Sequence, residues 1–256
     1  MMQLVDTHCH LDFEIFDEDR DDILFQCKSK GINSLVFPAV TAKRWNKLIQ
    51  ICQSSESLHL ALGLHPLFLN DHTPEHLEQL PHAIEHYQPI ALGEIGLDFY
   101  HEHYDEDTQI YYFIEQLKIA KAFDLPVLLH VRKAHDNVIN LLKKQGVPGG
   151  IAHAFNGSFQ QAQAYQKLGF KLGVGGIITH PKAVRLRTLF SQLPLSQIVL
   201  ETDAPDMPLY NQISPRNTPE NLVTILDTLT TLRPESRQEI AEITTNNSLN
   251  VLKLVK

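Results

Sequence analysis

Leu4-Val5-Asp6-Thr7-His8-Cys9-His10 sets the reading of this chain. It opens like a short buried strand and ends in His-Cys-His. An open, doubly wound sheet ordinarily follows its first strand with a glycine-rich phosphate loop. Two imidazoles stand at that place instead. Side chains alternate along a strand, so His8 and His10 face the same way, while Cys9 faces the opposite way as a small packing residue.

Moving outward, apolar runs of the same kind recur. They fall at 4–10, 34–40, 59–65, 90–96, 126–131, 150–155, 170–177 and 198–203. They are short and rich in Val, Ile and Leu, as strands of a parallel sheet buried on both faces should be. Amphipathic stretches lie between them, near 18–30, 43–55, 75–86, 106–123, 135–145, 158–168, 182–192 and 219–232, and a last helix near 235–253 closes the chain. Thr73-Pro74-Glu75 and Thr218-Pro219-Glu220 read as helix starts, and Gly31, Gly146 and Gly169 stand where helices should stop. Strand–helix alternation repeated eight times, with no phosphate loop, predicts an α/β fold of the (β/α)₈ TIM-barrel type.

Length agrees. The 256 residues, 43% of them hydrophobic, suit one barrel domain over 1–256, since such barrels run to roughly 250 residues. A formal net charge of -8 excludes a basic nucleic-acid coat. Any nucleic-acid contact has to be local or to come through bound metal charge. Three widely spaced cysteines, Cys9, Cys27 and Cys52, make a poor disulfide framework and read as reduced thiols. The N-terminal residues do not read as a secretory signal, and no apolar run approaches the ~18 residues of a membrane span. A cytoplasmic protein without a membrane partner or an obligate protein partner is expected.

In a barrel the active site lies at the C-terminal ends of the strands, and ligand-type residues gather there. Strand one ends in His8 and His10, strand three in His65, strand four in Glu94, strand five in His130, strand six in His153 and strand eight in Asp203. An apolar barrel does not need these groups, and burying them unpartnered costs several kcal/mol each. The expected arrangement is two divalent cations. His8, His10, Glu94 and Asp203 hold one; Glu94, His130 and His153 hold the other, with Glu94 as the bridge. Such a pair can hold the attacking and leaving oxygens of a displacement. The donors admit Zn, Mn or Ni, and Mg at lower affinity.

The same residues resemble the TatD family of metal-dependent deoxyribonucleases, within the amidohydrolase superfamily. The likeness is carried by Asp6-Thr7-His8-Cys9-His10-Leu11-Asp12, Gly63-Leu64-His65-Pro66, Gly93-Glu94-Ile95-Gly96-Leu97-Asp98, Leu125-Pro126-Val127-Leu128-Leu129-His130, His153-Ala154-Phe155-Asn156-Gly157-Ser158 and Glu201-Thr202-Asp203-Ala204-Pro205. It spans the chain, and the run from Glu201 to Leu209 looks most like the YjjV-type branch. The resemblance implies a TIM barrel, two divalent metals, phosphodiester hydrolysis and the same six ligands. Ala154-Phe155-Asn156-Gly157 stands where many members read Cys-Phe-Ser-Gly, a departure that bears on substrate preference.

The expected function is ester hydrolysis by a metal-activated water, with a phosphodiester such as DNA as substrate. Asp203 would ligate one metal and take the water's proton; Glu94 is the other catalytic carboxylate. His65 and Arg132 are expected to contact substrate, Arg132 through paired hydrogen bonds to a phosphate. Glu201 is expected to orient a histidine ligand from behind, with a purely structural role for it and for Asp6 as the competing reading. His101, His103, His135 and His180, and the basic Lys182, Arg185, Arg187 and Arg216, read as ordinary loop and helix residues. Two other functions fit the same pattern: an amidohydrolase-type deaminase or lactonase, and a non-catalytic binding protein on a decayed barrel.

Overall fold

The alternation folds into eight parallel strands in sequential order, each followed by helix. The computed structural model describes residues 3–101 and 105–254. The strands are β1 (Leu4–Asp6), β2 (Ile32–Pro38), β3 (Leu58–Leu62), β4 (Ala91–Asp98), β5 (Val127–Arg132), β6 (Gly150–Ala152), β7 (Phe170–Val174) and β8 (Ile198–Leu200). The helices are α1 (Arg20–Ser29), α2 (Trp45–Gln53), α3 (Pro74–Tyr87), α4 (Glu106–Ala122), α5 (His135–Gln145), α6 (Phe159–Lys167), α7 (Val184–Gln192), α8 (Leu222–Leu232) and α9 (Arg237–Val251). Gly31, Gly146 and Gly169 follow α1, α5 and α6 with φ of 82°, 68° and 81°, the left-handed conformation that glycine supplies at helix ends.

Alternation along the strands sorts the core into two layers. Val36, Ala61, Ala91, Leu128, Ile151 and Val199 pack together as one cluster, with Leu252 from the end of α9 against them. Their neighbours in sequence, among them Leu35, Leu60, Leu62, Leu92 and Leu129, belong to the larger layer beneath the helices. The inner layer is filled by side chains, as barrel interiors are.

No regular ladder joins β8 to β1. The barrel closes through individual bonds: Thr7 N to Leu200 O at 3.0 Å and Asp203 N to His8 O at 2.8 Å. Asp6 completes the seam, accepting from Thr202 N at 3.0 Å and from Thr202 Oγ1 at 2.6 Å. Asp6 is therefore a structural strut between the first and last strands. Burial pushes its carboxyl up to about 8, against the hydrogen bonds from Thr202 and His8.

Several strands are shorter than their apolar runs. β1 stops at Asp6, β7 at Val174 and β8 at Leu200. The residues beyond turn out of the ladder, with positive φ at Lys133, Ala154 and Asp203. Side chains that follow β5, β6 and β8 are thus aimed across the barrel mouth.

Candidate metal centre

Parity predicts which side chains look inward. Ala61, Leu128, Ile151 and Val199 are inner residues, so His65, His130, His153, Glu201 and Asp203, each an even number of positions on, share their side. Glu94 breaks the rule, because Ala91 is inner and three steps separate them. A register irregularity between Leu92 and Ile95 in the β4–β5 pairing resets the alternation. Glycines make it feasible. A Cβ at Gly63 would stand 2.6 Å from the carbonyl carbon of Gly93, and one at Gly93 would stand 2.6 Å from Leu128 Cβ.

Glu94 then lies 2% exposed at the centre of a ring of imidazoles. Its Oε2 faces His8 Nε2 at 3.1 Å and His10 Nε2 at 3.5 Å. Its Oε1 faces His130 Nδ1 at 3.1 Å, His65 Nε2 at 3.3 Å and His153 Nε2 at 3.6 Å. Asp203 Oδ1 lies 3.8 Å from both His8 Nε2 and His10 Nε2, and 4.0 Å from His153 Nε2. Atoms that share one ion at roughly 2.0–2.2 Å lie about 3 to 3.5 Å apart. The imidazole contacts of Glu94 fit ligands placed around cations, and those of Asp203 are a few tenths of an ångström longer. Three sets of donors lie mutually within 4.8 Å: His8, Glu94 and His153; His8, His10 and Asp203; His65, Glu94 and His130.

What stands behind the ring distinguishes His130 and His153 from His65, while Nδ1 of His8 and of His10 has no hydrogen-bond partner among the described residues. His130 Nε2 meets Asp98 Oδ2 at 2.7 Å, which places a proton on Nε2 and leaves the Nδ1 lone pair facing Glu94. His153 Nδ1 lies 3.2 Å from Glu201 Oε1, with Nε2 towards the centre. His65 is the reverse case. Its Nδ1 accepts from Leu67 N at 3.1 Å, so the neutral ring carries its proton on Nε2 and presents a donor. Burial lowers its pKa to about 4, with the Glu94 charge opposing.

Asp98 is the residue that sequence reasoning did not assign. It stands in the quoted motif, two positions past Gly96, and Gly96 pairs with His130 across the ladder. Parity after the register reset was the signal that could have found it. Glu201 is fully buried and accepts from Ala154 N at 2.5 Å. A Cβ at Gly173 would overlap the Glu201 carboxylate. We expect Gly173→Ala to push Glu201 off His153 and to lower the melting temperature by about 2–12 °C, the range for an overpacked core. An unchanged melting temperature and metal affinity would show that Glu201 has room to spare.

Charge balance at the centre calls for a cation. Burial raises Asp203 to about 6, against the pull of His153 and His10. Burial alone would lower His153, yet Asp203, Glu201 and Glu94 outweigh it and lift the ring to about 10. Burial likewise acts to raise Glu94, but His65, His8 and His153 hold it well below the usual carboxylate range. The carboxylates draw positive charge onto the imidazoles, and divalent cations compete for those same lone pairs.

Arg132, near the mouth, stacks its guanidinium 3.5 Å above the Tyr100 ring. It lines a cavity of about 580 Å³ that also includes His130, His153 and Asp203, walled by Leu67, Ile177, Leu186 and Met207. Cys9, Cys27 and Cys52 are buried free thiols. His180 bonds Pro208 O at 3.1 Å and lies outside the centre. His101 lines a neighbouring hollow with Asp98 and Gln109; His103 lies outside the described residues. Arg185, Arg187 and Arg216 tie down backbone carbonyls, Arg216 also pairing with Asp19. Among the described residues no helix is long and apolar enough to cross a membrane.

An eight-stranded barrel with histidines and carboxylates gathered at its strand ends defines a class, the metal-dependent hydrolases of (β/α)₈ architecture. Residues 5–253 match the model for TatD related DNase, and the chain belongs to the TatD family. It is 39% identical to the metal-dependent hydrolase YjjV of Escherichia coli K12, over 98% of each chain. It is 34% identical to human deoxyribonuclease TATDN3, over 97% of this chain and 94% of that one. The crystal structure of the Escherichia coli YjjV protein superposes with a TM-score of 0.93 over 97% of each chain.

Proposed function

We propose that residues 1–256 act as one barrel domain that hydrolyses phosphodiesters, DNA among them, with two divalent cations. The observation that supports this most is Glu94, whose two oxygens face two different sets of imidazoles. His8, His10, Glu94 and Asp203 would hold one cation, and Glu94, His130 and His153 the other, drawn from Zn, Mn, Mg or Ni. When bound, the pair supplies Lewis acidity and lowers the pKa of water held there towards ~7.

The chain's own groups do the rest. Asp203, whose Oδ1 lies 3.8 Å from His10 Nε2 and 4.0 Å from His153 Nε2, is placed to accept a proton beside the cations. Asp98 and Glu201 fix the rings of His130 and His153 from behind. Arg132 keeps its N–H edge for a phosphate while its face rests on Tyr100. Three buried free cysteines accord with a cytoplasmic location.

The test is a screen of bis(p-nitrophenyl) phosphate, single-stranded and duplex DNA, lactones and nucleobases, with metal content measured by elemental analysis. Phosphodiester turnover lost on chelation and restored by metal is the expected result. Turnover confined to lactones or nucleobases would move the reaction to carbon, and a protein that binds no metal would sink the reading. His65 gives a sharper check within the site. Because its inward nitrogen is a donor, His65→Ala should leave metal content unchanged and raise KM about tenfold or more, the size of a lost hydrogen bond to a charged group. A fall in bound metal would make it a ligand instead.

A further inference from the structure

Asn156 is the least explained polar residue in the cavity beside the centre. It lines the same wall as His130, His153 and Asp203 and is exposed. Surface asparagines ordinarily have free rotamers, whereas this one is fixed at both ends. Arg185 donates to Asn156 O at 2.6 Å and to Gly157 O at 2.7 Å, pinning the backbone. A Cβ at Gly157 would stand 2.7 Å from the Phe155 ring, so the turn is packed tightly.

The side chain is fixed from below. His135, 7% exposed at the start of α5, places Nε2 3.1 Å from Asn156 Oδ1. Its Nδ1 lies 3.2 Å from the hydroxyl of fully buried Tyr165. A carboxamide oxygen only accepts, so His135 donates from Nε2, and Nδ1 accepts from the Tyr165 hydroxyl. Burial lowers the His135 pKa, which keeps the ring neutral as this chain of bonds requires. With Oδ1 engaged, Nδ2 is left as a pair of N–H donors. It has no hydrogen-bond partner among the described residues. The acidic neighbours on that wall, Asp203 and Asp206, make an oriented donor useful for an anionic ligand.

We propose that Asn156 contacts the substrate, its side-chain amide donating to an anionic oxygen, and that His135 and Tyr165 are positioning residues that aim it. The proposal rests on the phosphodiester reading for the identity of that oxygen. It deepens that reading by naming a residue on this wall that recognises the phosphate. A chain with serine here would have no carboxamide for His135 to hold.

The test is calorimetric titration of the metal-loaded protein with inorganic phosphate. Asn156→Ala should weaken binding about tenfold, the size of a lost hydrogen bond to a charged group. Asn156→Asp keeps an acceptor for His135 but turns the free donor into an anion, and should weaken binding further. Metal content should stay at the wild-type value in both variants, and the melting temperature in Asn156→Asp, which keeps the acceptor for His135; Asn156→Ala leaves the buried His135 Nε2 without that acceptor and should melt a few degrees lower. His135→Phe should also weaken binding, and adding Asn156→Ala to it should cost little more, since both changes disable one contact. Wild-type phosphate affinity in Asn156→Asp overturns the assignment, as does a wild-type protein that binds no phosphate. Full additivity of the two changes overturns the positioning role of His135. Turnover of bis(p-nitrophenyl) phosphate is read separately. If the wild-type protein leaves it intact while phosphate binding still depends on Asn156, the contact stands and the phosphodiester reading falls.

Discussion

Replacing Asp203 by Asn is expected to lower kcat by about 10²–10⁴-fold, the range for removing a positioned acid or base. The side chain keeps its size and can still bring an oxygen towards His8 and His10, so part of the metal should remain. What disappears is the ability to take a proton. The backbone at Asp203 has φ of 58°, a strained setting for a residue other than glycine. It is held there by the bonds from Asp203 N to His8 O and from Asp206 N to Asp203 O, both 2.8 Å. A steady-state profile of the variant alongside its metal content separates the two roles. Wild-type kcat in Asp203→Asn would remove the carboxylate from proton transfer.

Replacing Glu94 by Gln should have the larger structural consequence. One oxygen becomes an amide that cannot ligate, and the charge that faces five histidines is lost. We expect at least one of the two cations to be missing by elemental analysis, and turnover to fall by more than about 10³-fold, since both the electrostatic and the proton-transfer contributions depend on the assembled pair. The variant should still fold, because the inner core of Val36, Ala61, Ala91, Leu128, Ile151 and Val199 does not involve Glu94. A folded Glu94→Gln protein that retains two cations and normal turnover would leave the bridging role without support.

Both predictions draw on residues that could be named before any fold was known. The strand–helix alternation was legible because burial on both faces demands runs of Val, Ile and Leu, and these differ in length and period from amphipathic helices. The ends of strands were harder. The runs at 4–10 and 198–203 overshoot β1 and β8, because residues past each ladder, His8 and His10 or Glu201, are buried as strand residues are and the chain leaves the ladder only through backbone angles.

Chemistry-bearing residue types at strand ends, and the order in which they occur, were determined by the sequence alone. A barrel brings every strand end to one mouth, so composition at those positions implies a cluster whatever the loops do. Three matters were left to the tertiary structure. Simple alternation from Ala91 would point Glu94 outward, and only the irregular pairing of β4 with β5 turns it in. The division of histidines into lone-pair and proton-bearing rings depends on what stands behind each one: Asp98 behind His130, Glu201 behind His153, Leu67 N behind His65. The seam between β1 and β8 rests on Asp6 and Thr202, 196 residues apart. The physical reason is common to all three. A strand's period fixes which side a residue takes only while pairing stays regular, and the carboxylates behind His130 and His153, like the Thr202 partner of Asp6, come from distant segments that no local pattern encodes.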